Sequence, residues 1–200
     1  MFLYGASGHG KVVLEIAEDN GYFIEAFIDV DLSKKELQDL PVLHKIPSHA
    51  VDFVVTIGDN RIRKNIVDEN NTFRYVVLIH PKANISKYTQ IGIGTVVMAG
   101  ATVNTKVSIG EHCIINTNAS VDHDCDIADF VHISPQAALA GNVIVGEGTH
   151  IGIGVSIIQN IRIGKWVTIG AGTVIISDVP DYAVVVGNPG RIIKYKNSDE

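Results

Sequence analysis

The first information in this 200-residue chain comes from what is scarce. Basic clusters are missing and the formal charge is −6, which argues against nucleic acid as a partner and leaves any phosphate to backbone donors and a few cations. No apolar run approaches bilayer length, and no charged segment precedes an apolar stretch near Met1. Neither a membrane partner nor a secretory signal is read, and the cytoplasm is the expected location. The two cysteines, Cys113 and Cys125, are too few for a disulfide framework and read as reduced thiols of the core. With 46% hydrophobic residues and 19% charged, the composition is that of a folded globular protein, apart from the polar end Lys196–Glu200.

What is present is a repeat. Seventeen consecutive hexads from Ile79 to Ile175 carry Ile, Val or Leu at one fixed position without a slip of phase. Four residues after each comes a second small or β-branched series, running from Ala83 to Val179 and including both cysteines. A period of six fits neither a 3.6-residue helix nor a simple strand alternation. It fits short strands separated by tight corners, with the aliphatic residue packed inward and a glycine directly after it, as at Gly92 and Gly110, permitting the bend. One coil cannot bury its own inward row, so several must stack. The repeat resembles the hexapeptide family of parallel β-helices, in which three hexads form a triangular coil, and the resemblance implies left-handed winding and between five and six coils here.

Before Ile79 the hexads are absent and short apolar runs alternate with helical stripes. Strands are expected at Phe2–Tyr4, Tyr22–Ile28, Asp52–Ile57 and Arg74–Leu78, with helices at Lys11–Asn20 and from the Gly58 loop to about Asn70. That alternation predicts a small Rossmann-like parallel sheet over residues 1–78, followed by the all-β solenoid with its C-terminal cap over 79–200. Three loops would then converge at the carboxyl ends of the strands. The first, with Gly5, Gly8 and Gly10 spaced G-x-x-G-x-G, departs from the dinucleotide fingerprint but suits an anion at a helix N-terminus, or merely a tight turn. Asp29 follows the second strand, where a carboxylate can accept from a sugar or base. Arg61 either meets a phosphate or is one of several surface charges in Arg61-Ile62-Arg63-Lys64.

The segments Tyr4-Gly-Ala-Ser-Gly-His-Gly10, Ile57-Gly-Asp-Asn-Arg-Ile-Arg63 and Leu78-Ile-His-Pro81, together with the hexads, resemble the bacterial nucleotide-sugar acetyltransferases. That family includes UDP-4-amino-sugar N-acetyltransferases and sialic-acid O-acetyltransferases. The resemblance implies a homotrimer with acetyl-CoA between neighbouring subunits, and nucleotide contacts from Ser7, Gly8, His9, Asp29, Val30, Gly58 and Arg61. The motif from Asn116 to Ile127 would be catalytic, with Asn116 and the base His123. Imidazole suits the task because an ammonium must lose a proton before its nitrogen attacks a thioester. The family's acidic partner falls on Asp124, shorter than the usual glutamate, so Asp122 and Asp126 are alternatives.

By the same resemblance His132 would lie beside the cofactor as a hydrogen-bond donor, with further cofactor contacts from Gly141, Ile153 and Ala171. His150, one coil above His132, makes a simple histidine stack an alternative, and each glycine is equally explained as a corner residue. No metal is expected, since the denser His-x-x-x-x-His arrangement of β-helical zinc enzymes is absent. Val186-Gly-Asn-Pro-Gly-Arg191 resembles the closing motif of hexapeptide acyltransferases and would cap the open end. The expected activity is acetyl transfer from acetyl-CoA to the amino group of a nucleotide-linked sugar, with a UDP-linked 4-amino-4-deoxy sugar foremost. The attack is direct, since no Ser or Cys stands out as an activated nucleophile. O-acetylation of a sialic-acid-type sugar and a non-catalytic nucleotide-sugar scaffold are the alternatives.

Overall fold

The computed structural model describes residues 1–197, so most of the polar end named above lies outside the described residues. The N-terminal unit contains β1 (Phe2–Tyr4), α1 (Gly8–Asp19), β2 (Ala26–Ile28), β3 (Glu36–Leu37), β4 (Leu40–Leu43), β5 (Asp52–Val55), α2 (Asn60–Glu69) and β6 (Arg74–Tyr75). Its sheet runs β3-β4-β2-β1-β5-β6, parallel except for the β3–β4 hairpin. The hairpin is absent from the expected elements. Its two turn residues, Gln38 and Asp39, adopt φ of 51° and 59° without a glycine to announce the turn. β1 lies centrally with β2 on one side and β5 on the other, so the chain reverses its direction of travel there. A crevice therefore opens at the carboxyl ends of β1 and β5, where open α/β sheets bind ligands. Among the described residues no helix is long and apolar enough to cross a membrane.

From Leu78–Ile79 onward, two-residue strands pair with the strand eighteen residues away, as Val96↔Ile114 and Ile114↔His132 show. Three parallel sheets result. The first face stacks Leu78–Ile79, Val96–Val97, Ile114–Ile115, His132–Ile133, His150–Ile151 and Thr168–Ile169. The second face runs from Asn84–Ile85 to Val174–Ile175, and the third from Gln90–Ile91 to Arg162–Ile163. The expected α/β domain followed by a hexad solenoid is the architecture found. Both inward series form one continuous buried core, with Cys113 and Cys125 as free thiols within it. Burial pushes the Cys113 thiol up to about 12. Strands Ala183–Val186 and Arg191–Tyr195 form an antiparallel hairpin that continues the first face at its upper end.

The corner chemistry differs from the expectation. The left-handed backbone conformation recurs three residues after the inward aliphatic, through Lys106, His112, Asn118, Asp124, Phe130, Gln136 and Asn142, all at φ of 53° to 60°. The bend is made there, mostly by non-glycine residues. The glycines directly after the aliphatic residues serve contact between coils: a Cβ at Gly92 would lie 2.5 Å from the carbonyl carbon of Gly110, one coil above.

The N-terminal unit docks on the first face and on the corner joining the third face to the first. Outward-pointing Leu78, Val96 and Ile114 are fully buried against Val13, Leu14, Ile16 and Ala17 of α1. Fully burying such side chains stabilises by roughly 1.5–3 kcal/mol each. Higher on the same column the outward residues become His132, His150 and Thr168, and a pocket replaces the packed seam. At the corner, His112, Phe130, Gly148 and Trp166 stand eighteen residues apart, and α2 lies on them. Arg63, 1% exposed, donates from Nε to the His112 carbonyl (2.8 Å) and from Nη2 to those of Phe130 (2.8 Å) and to Asn60 Oδ1 (2.8 Å). Its Nη1 donates to the Ile57 and Gly58 carbonyls at 2.9 and 3.4 Å. The sequence placed Arg63 among surface charges, whereas its five contacts are all to neutral acceptors inside the joint. Burial lowers it to about 10, which leaves it charged at neutral pH.

Arg63→Leu removes these donors and strands several buried carbonyls, so a loss of about 3 kcal/mol is expected in equilibrium denaturation. An unchanged midpoint would show that the guanidinium is dispensable to the joint.

Candidate active site

The three loops do converge at the carboxyl ends of the sheet. In the first, Gly10 is packed so closely that a Cβ would come 2.5 Å from the Gly5 carbonyl oxygen, whereas Gly8 faces open space. Gly10 is therefore structural and Gly8 is free to meet a ligand. Ser7 precedes α1 but makes no side-chain cap, leaving the first backbone N–H groups of this helix available to an anion. α2 differs, because Asp59 Oδ1 accepts from Ile62 N at 2.9 Å. Asp29 is engaged within the chain: it accepts from Ala6 N (2.8 Å), Asp31 N (2.9 Å) and Lys34 Nζ (2.6 Å). Burial would raise its carboxyl, but those bonds and the Lys34 charge prevail and hold it below its ordinary value. It braces the second loop against the first. Val30 beside it is exposed, and with Tyr4, Gly5, Ile57 and Ile62 it lines a mostly apolar cavity of about 190 Å³.

A second cavity, about 420 Å³, lies on the other side of the third loop, between that loop and the first face of the solenoid. Gly58, Asn60 and Arg61 line it from the N-terminal unit, and His132, His150 and Trp166 from the solenoid. The Arg61 guanidinium stacks 3.9 Å over the Trp166 ring. Asn60 donates to the carbonyls of Gly148 and Thr149. His132 and His150 form the histidine stack, edge to face at 4.8 Å. His132 Nδ1 lies 3.2 Å from the Gly58 carbonyl, which can only accept, so Nδ1 carries the proton. Its Nε2 then accepts from Asn116 Nδ2 at 3.1 Å, while Asn116 Oδ1 accepts from Thr117 N. Both nitrogens are thus committed, and the expected free donor toward a cofactor carbonyl is not available in this arrangement. Burial first, then the neighbouring His150 and Arg63, push His132 down to about 3. His9 is likewise lowered to about 4, by burial and Arg63.

His123 lies elsewhere, on the corner between the second and third faces, opposite the first face. Its Nδ1 is 2.8 Å from Asp124 Oδ2. A carboxylate accepts, so Nδ1 is protonated and Nε2 keeps a basic lone pair. Asp122 is occupied by Asn104 Nδ2 (2.7 Å) and by the backbone N–H of His123 (2.8 Å), and exposed Asp126 points out of the third face. Of the three carboxylates weighed for this histidine, Asp124 is the one its imidazole meets. Gly141 stands one coil above His123, whereas Ile153 and Ala171 occupy the corner between the first and second faces. Asn116 sits with His132 on the first face rather than with His123.

This arrangement has well-matched relatives. Residues 1–70 match the family model of the PglD N-terminal domain. A single-site variant of perosamine N-acetyltransferase of Caulobacter crescentus, solved with CoA and GDP-perosamine, is 35% identical over 96% of each chain with a TM-score of 0.93. The acetyltransferase domain of PglB from Neisseria gonorrhoeae is 40% identical over 96% of this chain and 98% of that one, with a TM-score of 0.91. It has also been solved with acetyl coenzyme A. This chain belongs to the nucleotide-sugar acetyltransferases. A curated relative, UDP-N-acetylbacillosamine N-acetyltransferase of Bacillus subtilis, is 38% identical over 109 residues, which is 48% of this chain and about half the length of that relative.

Several residues of this acetyltransferase's site escape reading from the chain alone. Asn60 and Arg63 sit in a polar helical run whose charge suggests solvent, and only docking buries them. Trp166 stands where a corner residue is ordinarily exposed, yet it is 8% exposed beneath Arg61. A signal was present: the outward column of the first face reads Leu78, Val96, Ile114, then His132 and His150, and the apolar-to-histidine change marks the edge of the covered region.

His9 and His112 fall to about 4 and His132 to about 3, against an ordinary 6.5. Below about pH 6.5 the unfolded chain therefore binds protons that the native protein refuses. The stability that these groups contribute is complete above pH 6.5, is lost progressively as pH falls from 6.5 toward the folded values of about 4 and 3, and levels off below them. Denaturation at pH 7 and pH 5 should show the protein less stable at pH 5; equal stability would mean that these imidazoles titrate normally.

Proposed function

We propose that this protein transfers the acetyl group of acetyl-CoA to the amino group of a nucleotide-linked sugar, in a site completed by a neighbouring subunit of a homotrimer. The observation that carries the shared site is the position of His123. It lies across the triangular coil from the pocket holding His132 and Arg61, so one chain's base cannot reach an acceptor bound by its own N-terminal loops. A neighbour's corner can. The relatives solved with CoA and GDP-perosamine or with acetyl coenzyme A support the two substrates. Acetyl-CoA and nucleotide sugars favour the cytoplasm as the location.

In this reading the 190 Å³ cavity beside Asp29 and Val30 takes the nucleobase. The uncapped start of α1, with Ser7, Gly8 and His9, takes the phosphates together with Gly58 and Arg61, and the sugar extends into the 420 Å³ pocket. The pantetheine arm runs along the corner of Ile153 and Ala171 toward His132. Asn116 and His132 hold the third loop through Gly58 and so position the acceptor. His123 Nε2 takes the proton lost as the sugar nitrogen attacks the thioester carbonyl, and the tetrahedral intermediate collapses with expulsion of the CoA thiolate. Asp124 fixes the tautomer and stabilises the imidazolium that forms.

His123→Ala should lower kcat by about 10²–10⁴-fold with little change in acceptor binding. Asp124→Asn should lower kcat as well, because the imidazole loses the carboxylate that fixes its tautomer and orientation. Near-normal turnover of His123→Ala, or full activity in a particle that light scattering shows to be monomeric, would sink the mechanism.

Gly8→Val and Arg61→Ala should each weaken acceptor binding in calorimetry while acetyl-CoA binding is kept. The valine side chain would enter open space that a ligand needs rather than strike the protein. Equal loss of both ligands would point to general damage, and no loss of either would place the nucleotide elsewhere.

A further inference from the structure

We infer that Gly141 is a positioning residue for His123, a role that rests on His123 being the base. The two residues hold the same place in hexads one coil apart. A Cβ on Gly141 would lie 2.5 Å from Cε1, 2.6 Å from Nε2 and 3.1 Å from Nδ1 of His123, so the imidazole lies across the glycine Cα. The coil does not require glycine there. Thr105, His123 and Gln159 fill the same place on the coils below and above, and Gly141 is not among the residues of positive φ. The backbone cannot yield, since Asn142 N donates to the His123 carbonyl (2.9 Å) and Asn160 N to that of Gly141 (3.1 Å), pinning three coils at their spacing. Any side chain at 141 must therefore be accommodated by rotation of the imidazole. That rotation breaks the Nδ1 contact with Asp124 and moves Nε2 from its place beside Gly141. Gly141 thus holds the base in the rotamer that Asp124 stabilises.

The test is a kinetic cycle on Gly141→Ala, His123→Ala and the double variant, with both substrates varied. Gly141→Ala should fold with an unchanged Tm, lose about 10²-fold in kcat, the cost of roughly an ångström of misplacement, and keep its KM for acetyl-CoA. In the His123→Ala background the alanine should cost nothing further. A raised acetyl-CoA KM with kcat kept would overturn the inference in favour of a cofactor contact. The same loss repeated in the His123→Ala background would overturn it too, since the effect would not pass through the imidazole. Loss of the folded protein in Gly141→Ala would show that the clash falls on the coil itself, which is equally fatal. If His123→Ala is fully active the base assignment fails; if it is slow while Gly141→Ala is normal, the positioning role alone fails.

Discussion

The buried guanidinium of Arg63 is the constraint on which the rest of the site depends. A charge removed from water is costly unless every donor finds an acceptor, and here five contacts reach carbonyls and an amide oxygen from both units at once. The contacts to Ile57 and Gly58 shape the third loop, and those to His112 and Phe130 fix that loop on two successive coils. Loop conformation and docking are thereby one event. Any tilt of α2 would leave a charged donor unpaired, which gives the joint a directional character that apolar packing of α1 on Leu78, Val96 and Ile114 cannot supply alone.

Around that contact the solenoid divides its three corners between tasks. The corner of His112, Phe130, Gly148 and Trp166 receives α2. Its neighbour across the first face, with Ile153 and Ala171, is left open. The third corner carries His123, Asp124 and Gly141, away from every contact with the N-terminal unit. A repeat of eighteen residues makes this division simple, because a property placed at one hexad position recurs directly above itself on every coil. The outward column of the first face uses the same rule, with three aliphatic residues under α1 and then two histidines beside the pocket.

Neutral histidines set the electrostatic character of that pocket. Burial keeps His132 uncharged, and its tautomer follows from a carbonyl on one side and an amide N–H on the other. It holds the Gly58 loop as a neutral bridge while the cation of Arg61, resting on Trp166, faces the cavity. His123 has the opposite surroundings, half exposed beside a carboxylate, which is where a proton can be exchanged.

The amino-acid sequence by itself determined the solenoid, its inward rows and the alternating α/β unit before it, since a hexad of branched aliphatics has few other ways to exclude water. It also supplied the motif residues of the three loops and of the His123 corner. Local chemistry settled those: a strand, a glycine loop and a helix start follow one another within ten residues. Which corner each hexad residue occupies could be counted once the coil held eighteen residues, but what covers that corner could not. Arg63 in the joint, Asp29 as an internal brace, Asn116 paired with His132 and Gly141 over an imidazole all depend on contacts between segments 16 to 67 residues apart in the chain. Tertiary structure alone decided them, because hydrogen-bond reach and steric room are properties of the packed coils and not of residue type.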